Sequence, residues 1–191
     1  MLHLVVGPSG VGKDSLIDAA RDLRRDIFFP RRVITRPAGA GGEDHAPADV
    51  QAFALRAARG EFMLHWGAHG LSYGVPIEAA EALEMGRHVV VNLSRSRVAE
   101  ARRRFPPIRV LAVTATAETL AARLAARGRE SAEEIAGRLA RADLGAPEGP
   151  DVVEISNDGA LKDAQDRFLS ALTPPQGRWK TMPPAPVRSP A

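Results

Sequence analysis

The chain opens on Leu-His-Leu-Val-Val, residues 2–6, and runs at once into Gly7-Pro8-Ser9-Gly10-Val11-Gly12-Lys13. No other stretch restricts the fold so strongly. The apolar pentapeptide reads as a buried strand. Residues 13–24 read as a helix with Leu16, Ile17, Ala20 and Leu23 on one face. Between them, glycines let the backbone curl until successive amides point into one anion-binding nest. The helix that follows adds its positive end. A lysine closing such a G-x-x-x-x-G-K loop reaches the β- and γ-phosphates of a nucleotide. Gly7, Pro8, Ser9, Gly10, Val11, Gly12, Lys13, Asp14 and Ser15 are the expected triphosphate-binding residues.

One position departs from the pattern. Where Ser or Thr commonly holds Mg²⁺ after the lysine, this chain has Asp14, followed by Ser15. A carboxylate is a hard ligand that suits Mg²⁺, directly or through water, which makes Asp14 the expected metal residue. The competing reading is a lapsed loop that binds nucleotide weakly.

The remaining pattern supports an α/β domain. Arg32 to Thr35, Phe62 to Trp66, His88 to Asn92, Arg109 to Thr114 and Asp151 to Ile155 read as strands. Residues 50–59, Pro76 to Met85, Arg97 to Arg104, a segment from Thr116 to near Gly128, and Ala160 to Leu172 read as helices. Ser131-Ala-Glu-Glu is a capping-box pattern that opens one more. Short apolar strands alternating with amphipathic helices predict a parallel sheet of about five strands covered on both faces. Residues 1–173 form the expected domain. Residues 174–191, rich in proline and without apolar periodicity, read as a disordered tail.

Composition narrows the class. With 191 residues, 45% hydrophobic and 26% charged, the chain can build one full core. No apolar run is long enough to span a membrane, and Met1 to Val6 is too short and uncharged for a signal peptide. A cytoplasmic protein without a membrane partner is expected. There is no cysteine, which excludes disulfides and thiolate metal sites. A net charge of +3 is too mild to argue for nucleic acid. Lysine occurs only at Lys13, Lys162 and Lys180, every other base being arginine, so its presence in the loop stands out. The sequence leaves oligomeric state open, a homo-oligomer included.

A second arginine-rich stretch surrounds Arg127-Gly128-Arg129, with Arg123 before it and Arg138 and Arg141 after. Phosphoryl transfer needs positive charge over the equatorial oxygens and exclusion of water. A short lid over residues 127–140 would supply both. The alternative is a solvated helix face, because Arg123 and Arg127 stand at i and i+4.

The order of these motifs resembles the guanylate kinase superfamily: the loop, then Thr35-Arg36, Glu43, Tyr73-Gly74, Arg127-Gly128 and Arg138. The likeness covers about residues 2–172. It implies a three-layer phosphate-loop fold with an acceptor subdomain over roughly 32–75 and a lid. It also implies ATP as donor, Arg36 and Tyr73 on an acceptor phosphate, and Lys13, Arg127 and Arg138 as catalytic cations. The base-reading positions differ: Leu64-His65-Trp66 stands where that family reads guanine with Glu, Ile34 replaces a hydroxyl residue, and Asn92 replaces Asp. A site that loses several hydrogen-bonding partners rejects the original base.

More narrowly, Gly-Pro-Ser-Gly-Val-Gly-Lys-Asp-Ser, Ile-Thr-Arg, Gly-Gly-Glu-Asp-His, Leu-Ser-Tyr-Gly-Val, Val-Val-Val-Asn-Leu-Ser-Arg, Arg-Gly-Arg-Glu and Asn-Asp-Gly resemble the ribose 1,5-bisphosphate phosphokinase family. That family carries the same Lys-Asp-Ser variant. The resemblance implies ATP-dependent phosphorylation of ribose 1,5-bisphosphate to 5-phosphoribosyl 1-diphosphate with Mg²⁺, in phosphonate utilisation. Arg36, His45, Tyr73 and Arg95 are the expected acceptor contacts. A divergent nucleoside monophosphate kinase and a silent guanylate-kinase-like binding module are the competing readings.

Overall fold

The computed structural model describes residues 1–39, 43–127, 137, 145 and 147–172. In chain order these give β1 (Leu2–Val6), α1 (Lys13–Leu23), β2 (Ile27–Phe28), β3 (Val33–Ile34), β4 (Ala46–Pro47), α2 (Val50–Ala58), β5 (Phe62–Ala68) and β6 (Leu71–Pro76). There follow α3 (Glu78–Glu84), β7 (His88–Asn92), a 3₁₀ turn (Arg95–Arg97), α4 (Val98–Arg104), β8 (Ile108–Thr114), α5 (Ala117–Arg127), β9 (Val152–Ser156) and α6 (Leu161–Leu172).

The main sheet has five strands in the order β2-β7-β1-β8-β9, and every pairing is parallel. Strand alternation sorts its side chains onto two cores. Leu2, Leu4, Val6, Val89, Val91, Val110 and Ala112 pack on one face with Ala79 and Ala82 of α3 and Val98 and Ala101 of α4. Val5, Val90, Leu111, Val113 and Ile155 pack on the other with Leu16, Ile17 and Ala20 of α1, Leu120 of α5, and Ala164, Phe168 and Leu172 of α6. The result is a three-layer α/β domain, in agreement with the strand and helix pattern. Among the described residues, no helix is long and apolar enough to cross a membrane.

A second sheet, β4-β3-β6-β5, rises beside it. Its β3·β6 and β5·β6 pairings are antiparallel, and only β3·β4 is parallel. Met63, Leu64, Trp66 and Val75 turn one side of this sheet into the first core. Phe62 stacks on Phe53 of α2 on the other side, with Val33. The small sheet therefore shares the main core while keeping a minor core of its own.

Two sequence expectations need correction. Leu23, expected on the apolar face of α1, is 67% exposed as the last residue of the helix, whose buried face runs from Leu16 to Ala20. The helix expected from Pro76 begins at Glu78, because Leu71–Pro76 is a strand paired to β5. The two-residue strands β2 and β4 have no apolar run long enough to announce them. The expected tail, residues 174–191, and the helix opened at Ser131 lie outside the described residues.

Candidate active site

In a parallel sheet all strands deliver their carboxyl ends to one edge, where ligands bind. Here that edge carries the Gly7–Lys13 loop after β1, Asn92 at the end of β7 and Asn157 after β9. Glycine is obligatory at two loop positions. A Cβ on Gly7 would lie 2.4 Å from the Val113 carbonyl oxygen, and one on Gly12 would lie 2.5 Å from Asn157 Nδ2. Gly12 also has φ 93°, in the left-handed region. It opens α1 with no side-chain cap, which leaves the first-turn amides facing the loop.

Lys13 bends back across this curl, donating to the carbonyl oxygens of Gly7 (2.8 Å) and Pro8 (2.9 Å). Although the residue as a whole is only half-buried, its ammonium is desolvated, and that burial pushes it down to about 8. Asp14 and Glu43 pull the other way, while Arg32 and Arg95 add to the lowering. The lysine therefore feels two arginines and two carboxylates, and the site is electrostatically one unit.

The loop is strapped from behind. Asn157, 2% exposed, donates from Nδ2 to the Val11 carbonyl at 2.7 Å. Arg123 donates to the Asn157 carbonyl (2.8 Å) and reaches the Val11 carbonyl (3.4 Å). Arg123, grouped by sequence with the lid arginines, thus braces the phosphate loop. Arg127 closes α5, and its side chain, with Gly128, Arg129, Arg138 and Arg141, lies outside the described residues.

On the other side, one network joins the loop to the second sheet. Asn92 Nδ2 donates to Asp14 Oδ1 (3.1 Å) and to Glu43 Oε2 (3.0 Å). Arg32 grips Glu43 with two prongs, Nε to Oε1 at 2.8 Å and Nη2 to Oε2 at 2.6 Å, and donates a third bond to the Asn92 carbonyl at 2.9 Å. Its guanidinium lies 5.6 Å above Trp66 and 5.3 Å above Tyr73, whose rings stack at 5.4 Å. Trp66 and Tyr73 are cross-strand partners in β5 and β6, which is why they meet.

Of the expected acceptor residues, Tyr73 joins this network directly. Arg95 sits in the 3₁₀ turn after Asn92, and burial lowers its guanidinium from the ordinary range. His45 is 6% exposed and turned inward. Its Nε2 lies 3.1 Å from the Arg36 carbonyl oxygen, and its Nδ1 lies 3.1 Å from the Glu43 carbonyl oxygen and 3.2 Å from Arg36 Nη2. His45 therefore holds Arg36 in place. Thr35 is taken by backbone, its hydroxyl accepting from the Ser72 amide at 2.7 Å. His65 is exposed on the strand face opposite Trp66. Sequence reasoning missed Arg32 altogether, grouped Arg123 with the lid, and met Glu43, Asn92 and Asn157 only as motif positions without the contacts they make here. Asn92 alone had a local signal, a polar residue ending the Val-Val-Val run at the edge where ligands bind.

Comparison with known proteins places this architecture. No family model matches the chain. Guanylate kinase from Anaplasma phagocytophilum superposes with a TM-score of 0.65 over 90% of this chain and 83% of that one, at 18% identity, a likeness of fold. A bifunctional ribose 1,5-bisphosphokinase-thymidine phosphorylase of Cupriavidus necator is 50% identical over 171 residues, 88% of this chain but 28% of that protein. The ribose 1,5-bisphosphate phosphokinase PhnN of Rhizobium etli is 48% identical over 175 residues, spanning 90% of this chain and 89% of that protein. Identity at that level over nine-tenths of both chains means that the chain belongs to the ribose 1,5-bisphosphate phosphokinase family.

Proposed function

We propose that this chain transfers the γ-phosphoryl group of ATP to the 1-phosphate of α-D-ribose 1,5-bisphosphate, releasing ADP and 5-phospho-α-D-ribose 1-diphosphate, in the cytoplasm and as a step of phosphonate breakdown. The observation that carries the reading is the union of a lysine-closed amide loop with the second sheet through Asp14, Asn92 and Glu43. The bond from the γ-phosphorus to the bridging β-oxygen breaks, and a bond from that phosphorus to an acceptor phosphate oxygen forms. The attacking oxygen is already ionised at neutral pH, so no side chain need take a proton. Catalysis is then positioning and charge neutralisation.

Lys13 and the loop amides hold the β- and γ-phosphates, and Arg127 and Arg138 supply charge to the transferring group. Arg36, steadied by His45, and Tyr73 and Arg95 hold the acceptor phosphates. Asp14 stands in the first turn of α1 beside the loop, where its carboxylate fits Mg²⁺ directly or through water. Bound there, the ion would offset the negative charge of the triphosphate.

An acceptor panel tests the reading. ADP release is expected with ribose 1,5-bisphosphate and not with guanylate or other nucleoside monophosphates. Arg95→Ala is expected to raise the KM for the acceptor by about tenfold or more, as for the loss of a charged hydrogen bond. Turnover of guanylate at a comparable kcat/KM would refute the acceptor assignment.

A further inference from the structure

A kinase acceptor with two phosphates calls for cations, yet a carboxylate stands at the centre of this site. Glu43 is 14% exposed and Arg32 11%. Their two-pronged contact leaves Arg32 already neutralised, which makes it a poor clamp for a phosphate. The cleft beside them is lined by Asp14, Asp18, Glu43 and Asp44 against Arg21 and Arg32. Four carboxyl groups against two guanidiniums repel a phosphate and suit a neutral donor.

Glu43 is held from three directions: two bonds from Arg32 and one from Asn92 Nδ2. Each donor is itself fixed, Arg32 by the Asn92 carbonyl and the Trp66–Tyr73 stack, Asn92 by Asp14. A carboxylate has about four lone-pair directions, so one remains for a ligand. The proposed acceptor carries negative acceptors at its ends and hydroxyl donors at carbons 2 and 3 between them. Only the hydroxyls complement Glu43.

Resting on that acceptor reading, we propose that Glu43 is a specificity-determining residue that accepts a hydrogen bond from a ribose hydroxyl, with Arg32 and Asn92 as its positioning residues. The two phosphates then lie to either side of it, away from the acidic cleft. The geometry also accounts for Asn92: an Asp there would bring a third carboxylate against Asp14 and Glu43, whereas the amide donates to both.

Steady-state kinetics on the full chain, with ribose 1,5-bisphosphate and its 2-deoxy and 3-deoxy analogues, decides the matter. The wild type is expected to lose about 10- to 100-fold in kcat/KM on the analogue that lacks the bonded hydroxyl, the usual range for a hydrogen bond to a charged group. In Glu43→Gln that ratio is expected to shrink to about threefold or less, because the amide oxygen is a weaker, neutral acceptor. Equal use of all three acceptors by the wild type would overturn the role of Glu43 while leaving the kinase reading intact. So would an equal loss on all three in Glu43→Gln, which is what a merely structural ion pair gives. Wild type inert toward ribose 1,5-bisphosphate would instead overturn the acceptor reading and this proposal with it. Were Glu43→Gln not to fold, the wild-type ratio decides alone.

Discussion

At the scale of single residues the most informative group is Lys13, because its role can be read as a proton count. Burial lowers its ammonium to about 8 from an ordinary 10.5, and a bound triphosphate would raise it again. Near pH 9 the nucleotide phosphates are fully ionised, their last proton having left near pH 6–7. Binding ATP at that pH should then draw close to one proton onto the lysine, and binding at pH 7 almost none. Calorimetry in two buffers of different ionisation enthalpy measures this directly, and Lys13→Met should abolish it. Affinity for ATP should correspondingly fall as pH rises above 8, by up to about tenfold per unit. An unchanged proton count between pH 7 and pH 9 would contradict the assignment. Lys13 was legible in sequence because its meaning is local: a fixed spacing from glycines between a strand and a helix. The bond between Arg32 and Glu43 was not, since it joins opposite ends of an 11-residue excursion and nothing in either neighbourhood marks it.

Among elements, the strand ends explain more than the helices do. β9 contributes Asn157 and α5 contributes Arg123 to the same carbonyl, that of Val11, so two distant elements fix the curl that receives phosphate. Asn157→Ala would leave that buried carbonyl with only the long contact from Arg123. The expected loss is about 1–3 kcal/mol of unfolding free energy, the usual range for an orphaned buried group. The KM for ATP should rise more than kcat falls, because the loop is loosened before chemistry. Denaturant unfolding and ATP kinetics check the two halves, and an unaltered KM with lowered stability would make Asn157 a core residue only. The principal strands of the main sheet were legible because each is a short apolar run bounded by turn residues. β6 was not, because Leu-Ser-Tyr-Gly-Val-Pro alternates weakly and ends in proline. It is a strand through its pairing with β5, which places Tyr73 on Trp66. The Trp66–Tyr73 side of the cleft is thus a product of tertiary pairing, and residue order alone suggested it only through family resemblance.

For the molecule as a whole, the sheet has a chemical edge and an opposite edge, and the second controls stability. His3 is wholly buried on β1 on the α1–α6 face, with Nε2 3.1 Å from His88 Nδ1 on β7 and its own Nδ1 without a partner. Burial lowers His3 to about 3, with further lowering from His88, the amino terminus, Arg109 and Arg24. His88 is lowered as well, mainly by burial, with Asp26 the opposing influence. In the unfolded chain both rings titrate near 6.5. The unfolded state therefore binds more protons below that pH, and the contribution of His3 is fully present above pH 6.5 and declines as pH falls toward 3. The slope is about 1.4 kcal/mol per pH unit for one such group, against a total of about 5–15 kcal/mol for a domain. Urea unfolding between pH 7 and pH 5, above the range where carboxylates dominate, should show this loss. His3→Leu should flatten the slope by close to one proton, whatever it does to the absolute stability at pH 7. Parallel slopes in parent and variant would mean that His3 takes up its proton within the folded state, and the buried pair would then not be the origin of acid sensitivity.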